Sequence, residues 1–162
     1  MNRNQFHIVF FGIVMLGAVL RVWGLDTHSL WSDELSSWHR SHYDNIAAVL
    51  ERAKEDVHPP GYYIVSFWVQ QLMGDSEFAL RFPSLVFGVV SIGLLMMLGI
   101  RLYSYREGLI AGLFIAVFWF PINYSQEARP YSALLMFSLL SMYLWWKILK
   151  AHREDEKCSI WT

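Results

Sequence analysis

Three polar segments interrupt an otherwise apolar chain, and each carries residue types able to do chemistry. Trp31-Ser-Asp-Glu34 sets two adjacent carboxylates beside an indole, groups that can take a proton or ligate a cation. Asp33 and Glu34 are consecutive, so on a helix or strand they point apart. One can face a cavity while the other is held by a structural partner. Asp56-Val-His-Pro-Pro-Gly-Tyr-Tyr63 places His58 before two prolines, which stiffen the backbone and can present the imidazole rigidly to a ligand or a proton. Ser125-Gln-Glu-Ala-Arg-Pro-Tyr131 sets Glu127 two residues from Arg129. These two can neutralise each other. Alternatively Arg129 can hold a phosphate by its planar fork while Glu127 holds a cation. Plain structural readings stand beside these: a helix cap at Ser32 or Asp33, a stiff turn at the prolines, and a Glu127–Arg129 pair.

The elements that must position these segments are membrane-like. Only 17% of the residues are charged and 55% are hydrophobic, well below the charge content of an ordinary soluble domain. The net charge of −1, with no Lys/Arg cluster, gives no basic field for nucleic acid. Apolar runs near 6–25, 83–102, 107–124 and 130–148 are long enough to predict four membrane spans. The third and fourth are short, and flanking Trp, Tyr and Lys residues make up the length at headgroup depth. The first run is followed by Arg21-Val-Trp-Gly24, not a small-residue cleavage site, so it reads as an uncleaved anchor. The fold class expected is all-α: a polytopic membrane protein with about four transmembrane helices and an outer loop containing short amphipathic helices.

Arg3, Arg101, Arg106, Lys147, Lys150 and Arg153 fall on one side if the spans alternate, which makes that side and both chain ends cytoplasmic. The loop 26–82 and the turn 124–130 then face outward, with all three polar segments at one membrane face. Within the outer loop, Ile46, Val49 and Leu50 share one face of a short helix over 45–54, with Asp44 as its N-cap. Residues 61–73 are apolar and aromatic but too short to span, and read as an interfacial helix ended by Gly74. The tail 151–162 is expected to be cytoplasmic and unstructured. Its lone Cys158 has no metal-ligand spacing around it and is read as inert.

Taken in order, Leu-Trp-x-Asp-Glu (Leu30–Glu34), the Asp56–Tyr63 segment, Ser-Glu-x-Ala-Leu-Arg-x-Pro-Ser (Ser76–Ser84) and Tyr-Ser-Gln-Glu-Ala-Arg-Pro-Tyr (Tyr124–Tyr131) resemble a known family. The pattern is similar to the N-terminal part of polytopic GT-C glycosyltransferases, the dolichyl-phosphate-mannose protein mannosyltransferase and aminoarabinose transferase type. The resemblance covers roughly residues 16–150. It implies transfer of a sugar from a polyprenyl-phosphate donor to a hydroxyl acceptor, on the outer face of the plasma (inner) membrane. By the family's pattern Asp33, with Glu34 beside it, is the catalytic acidic group. His58, Arg81, Arg129 and Tyr131 are expected to bind substrate or donor, and Asp33 with Glu127 to hold a divalent cation if one is used. The partners implied are the lipid-linked sugar donor, membrane lipids and, because such enzymes have about a dozen spans, a downstream polypeptide completing the enzyme; nucleic acid is not among them.

Two other classes compete. A non-catalytic membrane subunit, or remnant, would use the same outer loops to dock a partner. A small transporter would place ionisable groups at mid-membrane, and the runs 83–100 and 108–124 contain no acidic or basic residue.

Overall fold

In a computed structural model the described residues are 2–160, with side chains described from 2 to 153. Eight helices follow one another: α1 (Arg3–Val22), α2 (Ser32–Ser41), α3 (Ile46–Ala53), α4 (Gly61–Met73), α5 (Glu77–Leu102), α6 (Tyr105–Val117), α7 (Trp119–Ser125) and α8 (Tyr131–Ile160). No strand occurs among the described residues. Helices α1, α5 and α8 are long and apolar enough to cross a membrane, and α6 with α7 makes a fourth, bent candidate. The short helices α2, α3 and α4 lie in the loop between the first and second of these.

Helix α5 is the hub, packing against α1, α4, α6, α7 and α8. Ile92 and Met96 on α5 meet Ile13 of α1 and Ile115 and Ala116 of α6 in one buried cluster. Leu94 and Leu98 meet Leu139 of α8 in another. Backbones approach where glycines allow it, as expected when helices associate without a solvent-driven force. A β-carbon on Gly99 would stand 2.8 Å from the α-carbon of Gly108, so α5 and α6 form a close hairpin there. A third cluster joins the outer helices to the bundle: Val49 and Ala53 of α3, Tyr62, Tyr63 and Phe67 of α4, and Ala133 of α8.

Several sequence expectations change in detail. The second span starts not at Pro83 but at Glu77, capped by Ser76, whose hydroxyl accepts the Ala79 N–H at 3.2 Å. Pro83 lies inside the helix, where its missing N–H leaves one carbonyl to other donors. Helix α3 is capped by Asn45, not Asp44, through a 3.0 Å bond from the Ala48 N–H. Helix α2 starts after Trp31 with no side-chain cap from Ser32 or Asp33; the Glu34 carboxylate reaches back to the Trp31 N–H at 3.4 Å. Residues 151–160 continue α8 rather than forming an unstructured tail, and Cys158 lies outside the residues whose side chains are described.

The third span is broken. Helices α6 and α7 meet at 61°, with Phe118 extended between them. Because α6 ends at Val117 and Phe118 is extended, the carbonyls of its last turn lack intrahelical donors. Arg21 of α1 supplies the donors. Its Nη2 donates to the Ile115 carbonyl at 2.9 Å and its Nη1 to the Ala116 carbonyl at 3.1 Å. A cation at a helix C-terminus also suits the helix dipole.

Candidate active site

The site is built around a buried clasp. Glu34, in the first turn of α2, is fully buried, as is the guanidinium of Arg81 from α5. Arg81 donates from Nε to Oε1 and from Nη2 to Oε2, both at 2.8 Å, a two-pronged pairing of fork and carboxylate. Oε1 also accepts the Ala128 N–H at 2.7 Å. The remaining Arg81 donors hold the chain after α1, through the carbonyls of Leu25 at 2.6 Å and His28 at 2.9 Å. One ion pair therefore ties together the end of α1, the start of α2, helix α5 and the turn before α8.

Glu34 was expected beside Asp33 as a catalytic carboxylate, and Arg81 as a donor-binding cation. Both are enclosed, and their polar atoms are occupied by protein partners. Asp33 differs: it is half-buried, and its carboxylate makes no hydrogen bond or ion pair among the described residues.

Arg129 faces the same region. Its Nη1 donates to the Asp33 carbonyl at 3.3 Å and to the Ser37 hydroxyl at 3.4 Å. The side chain is 7% exposed, its Nε is buried with no hydrogen-bond partner, and its guanidinium carbon lies 5.7 Å from the Tyr131 ring. The internal pair with Glu127 does not form. Glu127 instead accepts from the Asn123 amide at 2.7 Å. Burial pushes the Glu127 carboxyl above its ordinary value; the Asn123 bond and the Arg129 charge work against this, while the charges of Glu34 and Asp33 reinforce it. No group of three or more His, Cys, Asp or Glu side chains able to hold a metal occurs among the described residues. Two carboxylates make a poor resident metal site, and a magnesium-like ion there would draw its other ligands from water and substrate phosphate.

The second polar segment joins the other two through hydroxyls and rings. The Tyr62 hydroxyl lies 2.9 Å from that of Ser84, which donates to the Arg129 carbonyl at 2.9 Å. His58 packs edge-on to Tyr131 at 6.5 Å between ring centroids, and Tyr131 packs on Tyr124 at 4.7 Å. His58 also contacts Asp56 at 3.4 Å. Asp56 has further partners in Arg40, the Tyr63 hydroxyl and the Val57 N–H. Burial favours the protonated form of Asp56, but these hydrogen bonds and the Arg40 charge outweigh it and hold its carboxyl below the ordinary range.

Sequence reasoning missed Arg21, Gln126 and Ser84 as parts of this assembly. Arg21 is fully buried, and its Nε donates to the Ser125 hydroxyl at 3.1 Å. In return the Gln126 amide donates to carbonyls at the end of α1, 3.2 Å from that of Arg21 and 2.8 Å from that of Trp23. Arg21 thus caps the end of α6 and Gln126 the end of α1, and this fixes the turn that carries Glu127 and Arg129. Gly88 leaves room for the arrangement, since a β-carbon there would stand 2.0 Å from the Ser125 hydroxyl oxygen. A signal existed: an arginine inside an apolar span is costly and calls for a partner. Below the turn, an apolar cavity of about 420 Å³ is lined by Arg21, Gly88, Phe114, Tyr124, Tyr131 and Leu135, among others.

Long apolar helices and polar side chains gathered at one end of the bundle define an integral membrane protein with a candidate site beside the bilayer. Residues 57–160 match the family model described as dolichyl-phosphate-mannose-protein mannosyltransferase. The match covers more than half of the chain, and the chain belongs to this family of GT-C type membrane glycosyltransferases. It includes His58, Arg81, Glu127, Arg129 and Tyr131, while Asp33 and Glu34 precede it. No curated protein and no solved structure matches the chain.

Proposed function

We propose that this chain forms the donor-handling part of a glycosyltransferase that moves a sugar from a polyprenyl-phosphate carrier to a hydroxyl acceptor, on the outer face of the plasma (inner) membrane. The observation that carries the reading is Arg129: a buried guanidinium whose Nε has no hydrogen-bond partner and which makes no ion pair among the described residues, while its Nη1 rests on the backbone carbonyl of Asp33. A buried cation that no carboxylate contacts directly is costly, and a phosphate would satisfy it.

In this reading the donor phosphate lies against Arg129, steadied by the Tyr131 ring. The first isoprene units enter the apolar cavity that Tyr131 also lines. Asp33 takes the proton from the acceptor hydroxyl as its oxygen bonds to the sugar's anomeric carbon. The bond from that carbon to the phosphate oxygen breaks, and polyprenyl phosphate leaves with the electron pair. Phosphate is already a good leaving group, so base catalysis and charge neutralisation carry the demand. Glu34 and Arg81 position these groups and do not touch substrate.

The test is transfer from a radiolabelled polyprenyl-phosphate sugar in membrane vesicles containing the protein. Asp33→Asn keeps the shape and removes the base, so transfer falls about 10²–10⁴-fold with donor retention preserved. Transfer at the wild-type rate by Asp33→Asn refutes the assignment of the base. Absence of donor retention by the wild-type chain refutes the donor-handling role and favours a docking subunit.

A further inference from the structure

The bundle end opposite the candidate site carries a second, differently built feature. Arg101 closes α5, and Lys147 and Lys150 lie three residues apart on α8. Packing of α5 on α8 brings them to one aromatic ring. The Arg101 guanidinium carbon and the Lys150 ammonium each stand 5.7 Å from the Trp146 ring centroid. Tyr143 stacks beside the same indole at 6.2 Å. These groups line a hollow of about 240 Å³. Arg101 and Lys147 make no ion pair among the described residues, so the positive charge from the two helices gathers at one mouth.

An apolar slot adjoins that mouth. Arg101 and Tyr143 also line a neighbouring hollow of about 320 Å³, whose other walls include Phe6 and Phe10 of α1 and Met97 and Ile100 of α5. Basic residues that merely satisfied the orientation rule would spread around the helix ends. Here they converge on an indole at the edge of an aromatic groove between helices. A cationic mouth beside an apolar slot, with Arg101 and Tyr143 as walls of both, is complementary to an amphiphile with an anionic head and a hydrocarbon chain.

We propose that this end of the bundle binds one anionic phospholipid, its phosphate between Arg101 and Lys147 beside Trp146, and an acyl chain in the slot beside Phe10 and Met97. By the distribution of basic residues the lipid belongs to the cytoplasmic leaflet. The site is independent of the donor-handling region and stands whether or not that reading holds.

Native mass spectrometry of the full chain in detergent, titrated with phosphatidylglycerol and separately with phosphatidylcholine, tests it. The wild type should retain one phosphatidylglycerol in preference to phosphatidylcholine. A basic residue near the membrane surface contributes about a fivefold preference, so R101Q/K147Q lowers phosphatidylglycerol affinity roughly 25-fold and leaves phosphatidylcholine unchanged. Both side chains are exposed, and an unchanged melting transition confirms that the variant folds. Met97 lines the slot and is exposed, so Met97→Trp fills it without changing charge and should also weaken retention at an unchanged melting transition. Equal retention of the two lipids by the wild type overturns the proposal, as does wild-type phosphatidylglycerol affinity in R101Q/K147Q. Undiminished retention by Met97→Trp overturns the acyl slot.

Discussion

Glu34→Gln tests the buried clasp most directly. The substitution keeps the shape and removes one charge. Arg81, whose side chain is 5% exposed, is left opposite a neutral amide. The new amide nitrogen also has no acceptor. Oε1 receives Arg81 and Ala128, and Oε2 receives Arg81 and Trp31, so an NH₂ in either place meets donors. Removing one partner of a buried pair costs about 3–5 kcal/mol. Against a total stability of about 5–15 kcal/mol, that is a large share. Arg81→Met should cost a similar amount, because it strands Glu34 and frees the carbonyls of Leu25 and His28. The double variant should cost well under the sum, with a coupling of about 2 kcal/mol or more, since neither charge then remains alone. The assay is thermal unfolding of all four proteins in detergent, followed by tryptophan fluorescence at low and high salt. Enclosure makes the coupling insensitive to salt. Additivity within about 0.5 kcal/mol, or a single-variant cost below about 1 kcal/mol as for an exposed pair, would refute the clasp.

Three further outcomes are expected. Arg129→Lys keeps the charge but loses the fork, and should weaken retention of polyprenyl phosphate about 10–100-fold, the worth of one charge-assisted hydrogen bond; unchanged affinity contradicts a forked contact. Arg21→Met leaves the Ile115 and Ala116 carbonyls without donors, at about 1–3 kcal/mol each, partly offset by relief from burying a charge. A clear fall in melting temperature with weakened donor retention is expected, and an unchanged melt contradicts the capping role. The raised Glu127 carboxyl holds its proton more tightly in the folded chain than in the unfolded one. Its stabilising contribution is therefore complete below the ordinary value of 4.5 and lost as pH rises through the raised one. Glu127→Gln should flatten that fall in a melting series across about pH 4–7, and parallel curves for variant and wild type contradict the shift.

Much of the architecture was legible because it is written locally. Apolar runs mark α1, α5 and α8, and the prolines before Gly61 and the glycine after Met73 bound α4 as expected. Gly74 adopts φ 80°, a conformation that stops a helix and that glycine reaches without strain. The N-cap of α3 moved by a single residue because Asp44 and Asn45 offer the same capping chemistry. The bend between α6 and α7 was missed because uniform hydropathy hides a break, although Pro121 was there to mark one.

The candidate site divides in the same way. The sequence alone determined that acid, base and aromatic groups fall at the ends of spans, and that adjacent Asp33 and Glu34 point apart. Only the tertiary structure decided which of the two faces inward. That choice belongs to Arg81, 47 residues along the chain, which α5 places within 2.8 Å of Glu34. Likewise nothing near Arg21 in sequence shows that it caps a helix 94 residues away. Periodicity and composition report on neighbours along the chain. Charge pairing and capping in a membrane bundle depend on which helices pack together, and that is fixed by the close fit of side chains from distant segments.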